Sequence, residues 1–92
     1  MQGVEVLPGG DLVSEGLADL REGRESVAAL LVSIGAPRLR TLGVQVPPTV
    51  EEPEHRLYER LRQEFADAAH SRYNALVRRL VSFERALACG RL

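Results

Sequence analysis

The residues best equipped for chemistry lie together in the stretch "DAAHSRYNAL", positions 67–76. Asp67, His70, Arg72, Tyr73 and Asn74 bring a carboxylate, an imidazole, a guanidinium, a phenol and an amide into just over two helical turns. An acid three residues before a histidine on a helix is a spacing that holds a metal in carboxylate bundles. It occurs twice, as Glu52–His55 and Asp67–His70, and His55 with Glu59 forms a further pair one turn apart. On one straight helix His55 and His70 stand about 22 Å apart, so a single chain does not join them at one ion; an antiparallel dimer could bring them together, or place Glu59 and Glu64 nearby. Glu52 also precedes Pro53, which disfavours helical backbone at that residue.

Arg72 differs from its neighbours. At about 100° per residue, Asp67, His70 and Asn74 fall within roughly 60° of one another on a polar outer face. Arg72 instead projects into the apolar arc, between Leu61 and Phe65 in angle. A guanidinium in a dry core requires carboxylates, carbonyls or water. The acids of the first half, Glu15, Asp19, Glu22 and Glu25, are its expected partners. The alternatives are a bound anion, such as a phosphate or a substrate carboxylate, and a side chain that snorkels at a bend. The candidate ligand-binding residues are therefore Arg72, His70, Asp67 and Tyr73, and the candidate metal ligands are His55 and Glu59.

No frame for nucleophilic catalysis emerges. Ser71 adjoins His70, but consecutive side chains on a helix diverge. There is no G-x-S-x-G, and "LPGGD" is too short to be a phosphate loop. The single cysteine, Cys89, excludes a disulfide or a cysteine-based zinc cluster within one chain. No cofactor is expected. All twelve basic residues are arginine, yet the net charge of −1 argues against nucleic-acid binding by the molecule as a whole. Positions 1–52 carry four Arg against eight acids, a charge of −4, and positions 53–92 carry eight Arg against five acids, a charge of +3. Halves of opposite sign are expected to face each other, within the chain or across a dimer. The N-terminus lacks a basic stretch followed by a long apolar run, and no segment approaches the ~20 apolar residues of a membrane span. The expectation is a soluble, cytoplasmic chain.

The elements that would carry these residues follow from periodicity. The 92 residues suit one domain, and with 4% aromatics and no Trp its core must be aliphatic. Residues 1–10 read as an extended lead ended by "PGG", with Asp11 as a helix N-cap. From Leu12 to Ile34 the apolar positions keep one arc of roughly 140°, favouring one helix over 11–34. The competing reading breaks it at "EGRES", with Gly23 ending one helix and Ser26 capping the next. Gly35 then reads as a stop, 37–42 as a short turn of helix, and 43–51 as a stiff proline-rich connection. The last helix, about 52–89, would span about 57 Å against about 35 Å for the first. It must bend near residues 70–74, or project onto another subunit.

The fold class expected is all-α: a helical hairpin or small bundle with one long C-terminal helix, completed as a four-helix bundle by homodimerisation. Leu57, Leu61, Phe65, Leu76, Leu80, Phe83 and Leu87 are the expected interface. The function expected is a non-catalytic interaction or assembly module, with a larger protein as a further docking partner. The alternatives are a small-ligand, anion or metal site at the dimer seam, and regulatory nucleic-acid binding through the Arg-rich second half.

Overall fold

The computed structural model describes residues 6–90. Among these the chain forms four α-helices, α1 (Gly10–Arg21), α2 (Val27–Thr41), α3 (Pro53–Phe65) and α4 (Ala69–Gly90), with a 3-10 turn at Ala66–Ala68 between the last two. The described residues contain no strand. The radius of gyration is 12.7 Å, close to the ~12 Å expected of a compact chain this long. The all-helical class stands. Residues 1–5, half of the expected extended lead, lie outside the described residues; the "PGG" turn closes with Gly10 N–H donating to the Leu7 carbonyl at 2.8 Å.

Two helices replace the single one expected over 11–34. Helix α1 ends at Arg21, Gly23 takes φ 76°, and Ser26 caps α2 by accepting from the Ala29 N–H at 3.1 Å. Apolar phase survives this corner because both helices bury a face against the same core. The corner is held from below. Asp19, only 7% exposed, accepts from the Ser26 hydroxyl at 2.5 Å and from the Arg24 guanidinium at 2.9 Å. Those two donors, the hydroxyl foremost, hold its carboxyl below the ordinary 3.8. At the other end Asp11 is not the N-cap: Gly9, at φ 74°, takes that place, and Asp11 reaches Arg79 of α4 at 2.9 Å.

Helix α2 is the centre of the fold. Ala28 through Ser33, Gly35, Ala36 and Leu39 are buried on every side of it, as expected of a helix enclosed by neighbours. Gly35 therefore does not end the helix, and the separate turn expected at 37–42 is its continuation. Gly35 instead lets α4 approach, since a Cβ there would stand 2.9 Å from the Leu80 methyls. Pro37 removes one N–H from the ladder. Burial of Leu39 and Leu42 beyond it carries the helix on to Thr41. The proline-rich connection is pinned back onto α2: Arg40 donates to the carbonyls of Val46 and Pro47, at 3.3 and 3.2 Å, and the Val50 N–H donates to Ser33 Oγ at 3.2 Å.

The long final helix is broken, at Ala66–Ala68 rather than at 70–74. Ala66 adopts φ 48°, ψ −111°, and α4 folds back beside α3. Tyr58 and Tyr73 would be about 22 Å apart on a straight helix, yet their rings lie 5.7 Å apart. A straight helix over 53–90 would measure about 57 Å, longer than the 40 Å body of the protein. Folding back lets both halves bury their stripes on α2.

Candidate binding groove at the α3–α4 corner

The fold-back builds an open groove of about 350 Å³ where the end of α3, the first half of α4 and the start of α2 meet. Val27, Leu61, Phe65, Ala75 and Leu76 supply its apolar lining, and Glu64, Arg72 and Arg79 its charged groups. Each position follows from the local fold. Phe65 is the last residue of α3, so it lies at the corner and is only partly covered. Leu76 and Ala75 lie about two turns into α4 and line the groove together with Leu61 of α3. Val27 is the first residue of α2, only partly buried just after the chain's turn through Gly23.

Arg72 stands at this groove, not in a dry core. Its guanidinium carbon lies 4.3 Å from the Phe65 ring centroid, a cation–π contact on the surface. The acids of the first half do not reach it, and among the described residues no carboxylate oxygen lies within 4.0 Å of it. The projection that set Arg72 beside Leu61 and Phe65 holds, since all three line the groove; the dry core expected there does not, because the 3-10 turn and the positive φ of Ala66 fold α4 back and leave this corner open. Glu25 pairs with Arg56 instead, at 3.2 Å, and its carbonyl accepts from Arg60. These bonds tie α3 to the α1–α2 corner.

The other members of the polar stretch separate from Arg72. His70 is exposed, bonds Asn74 at 3.2 Å and stands edge-on to Tyr58 with centroids 6.5 Å apart. Tyr73 packs on Tyr58 between the helices, and burial, with the Glu54 charge second, pushes its phenol above 10. Asp67 is exposed in the 3-10 turn. The proposed ligand set therefore divides, with Arg72 at the groove and His70 and Tyr73 in an aromatic clasp around Tyr58.

His55 and Glu59 border a second, shallower depression with Glu25, Arg56, Arg60 and Gln63. Its acids already have cations: Glu59 is bound by Arg62 at 3.0 Å, which holds its carboxyl low, and Glu25 by Arg56. A metal ion would have to displace guanidinium groups there. Among the described residues no three His, Cys, Asp or Glu side chains group as a metal site.

Of the residues expected at an interface, Leu57, Leu61, Leu80 and Phe83 are at most 3% exposed and fill the chain's own core. Phe65, Leu76 and Leu87 remain partly open, and the first two face the groove. Val27, Ala75, Glu64 and Arg79 were not expected together at a groove. Ala75 and Arg79 share one face of α4 with Arg72 and Leu76, and Glu64 precedes Phe65 on α3, but these faces and Val27 meet only through the two breaks at 22–26 and 66–68. No described helix is long and apolar enough to cross a membrane. Comparison with protein-family models, with curated proteins and with solved structures found no match for this chain.

Proposed function

We propose that the chain is a non-catalytic helical assembly module that pairs with a second copy of itself at the α3–α4 corner. The observation that carries this reading is the groove: Phe65 and Leu76 sit partly uncovered beside Leu61, with Arg72 laid across the Phe65 ring. The charge pattern selects the occupant. The charged groups of the groove belong to the half of the sequence with net charge +3, and the half with −4 displays Glu15 in the open, with no cation bound to it among the described residues. A second copy thus offers both an apolar corner and an acid for Arg72. Pairing there brings α3 and α4 of each copy together, four helices at one seam.

Sedimentation velocity across a wide range of concentration tests the pairing. The wild type is expected to run as a dimer. Leu76→Glu, which places a charge in the groove, is expected to run as a monomer with its helical circular dichroism intact. A wild type that stays monomeric throughout would refute the reading, as would a Leu76→Glu variant that dimerises as well as the wild type.

A second reading has one observation in its favour: Arg72 has no carboxylate partner among the described residues, so its N–H donors are open to an anion. In that case inorganic phosphate would raise the melting temperature of the wild type and leave Arg72→Leu unchanged.

A further inference from the structure

We propose that two copies pair by exchanging α4, with α3 and α4 of each chain straightening into one helix about a hinge at Ala66. The inference rests on the self-pairing reading above and specifies how the second copy is engaged. Four observations converge on it.

The first is conformational. Glu52 and Ala66 are the two non-glycine residues at positive φ among those described. Glu52 caps a helix in front of a proline, where the chain must turn. Ala66 has no such reason. It holds φ 48°, ψ −111° between two helices, in a region that side-chain-bearing L-residues rarely adopt. In a continuous helix that strain would vanish.

The second is the sequence around it. No glycine or proline occurs from Glu54 to Cys89. The apolar series Leu57, Leu61, Phe65, Ala69, Tyr73, Leu76, Leu80, Phe83 and Leu87 advances by three or four residues at every step, straight through the break. Local preference and the observed kink therefore disagree at one short joint. A short, strained joint between two elements is the feature that invites domain swapping.

The third is size. The straight helix would measure about 57 Å, so its second half must leave the 40 Å body of its own chain. That would strip Leu80 and Phe83, 3% and 0% exposed, from their places against α2. A second copy is the one partner certain to offer the identical socket: its own α4 leaves an equal vacancy beside its α2, and exchange restores the contacts of α4 with α2 and α3 across the dimer.

The fourth is position. Phe65 immediately precedes the hinge, and Arg72 and Leu76 follow it within three turns, so the groove lies where two exchanged helices would cross. Groove pairing and exchange thus meet at one seam.

The test uses the Tyr58–Tyr73 contact as a reporter of which chain supplies α4. In the closed chain the two residues belong to one molecule; after exchange, Tyr58 of one copy meets Tyr73 of the other. The full chain carrying Tyr58→Cys, Tyr73→Cys and Cys89→Ser is sized in its native state, treated with a short bis-maleimide and run on a denaturing gel. Exchange predicts a native dimer and a covalent dimer. Ala66→Gly, which accepts the kink and weakens the straight helix, should lower the covalent-dimer fraction. Ala66→Val, which resists positive φ, should raise it, each by about tenfold per hinge in the equilibrium constant. A native dimer with links only inside each chain would overturn exchange and leave self-pairing standing. A native monomer, with Ala66→Val monomeric too, would overturn both. Should the double-cysteine chain fail to fold, isotope-labelled and unlabelled wild type are mixed instead. Exchanged dimers trade subunits only by unfolding, over hours; trading within the mixing time would overturn the proposal.

Discussion

Gly16→Ala separates two accounts of this fold by the sign of its effect. On a single helix over 11–34, Gly16 would be a weak point, and alanine would stabilise by about 1 kcal/mol through helix propensity. The structure places Gly16 where α1 crosses α2. A Cβ built there collides with the Ala28 carbonyl oxygen, and lies 2.8 Å from that carbonyl carbon and 2.5 Å from Val32 Cγ2. Backbone cannot swing aside as a flexible side chain does, so the helices must separate. Overpacking of this kind costs about 1–3 kcal/mol, and a clash with backbone belongs at the upper end. Set against the propensity gain, the net loss is about 2 kcal/mol. For a domain of this size each kcal/mol moves the midpoint by roughly 4–8 °C, so thermal unfolding followed by far-ultraviolet circular dichroism should shift down by about 8–16 °C. A midpoint unchanged or raised in Gly16→Ala would refute the close crossing of α1 and α2.

Two other outcomes follow from the corner and from α4. Ser26→Ala removes the cap of α2 and one donor to Asp19, so it should cost about 1 kcal/mol in urea unfolding, with no change in slope. Burial raises the Glu84 carboxyl above its ordinary 4.5, with Arg38 opposing; the stability tied to this group is full below that value and is lost as pH rises through the raised one. Glu84→Gln should therefore melt higher than the wild type at neutral pH, and the gap should close as the solution is acidified below 4.5; a gap that widens in acid would contradict the assigned burial.

The helical class and the apolar faces were legible because periodicity reports burial, and burial decides most of this fold. Leu57, Leu61, Leu80 and Phe83 carry the stripe and fill the core. Helix ends were harder to read for three different reasons. At 22–26 the local signals were present, Gly23 then Ser26, but the phase of α1 matched that of α2 and hid the corner. At Gly35 and Pro37 the local signals said stop, and the burial of Ala36, Leu39 and Leu42 overrode them. At Ala66 no local signal existed; the excess length of the last helix pointed to a bend, expected near 70–74 and found at Ala66–Ala68. The groove was illegible for the same reason. Projection set Arg72 at the angle of Phe65, where it lies, but did not show that the unsignalled joint leaves their corner open instead of buried.

Arginine bonding shows a further limit of sequence patterns. Arg40, Arg56 and Arg60 all donate to backbone carbonyls of loops or corners, Arg56 in addition to its ion pair with Glu25. Such contacts follow no residue-to-residue spacing, because a carbonyl is offered by every residue type.

Native mass spectrometry of the untagged chain at neutral pH tests self-pairing most directly. The account predicts a dimer at twice 10.1 kDa that persists on dilution and is lost in Leu76→Glu. A bare monomer of 10.1 kDa at every concentration would contradict it, and would mean that the α3–α4 corner stays open to solvent.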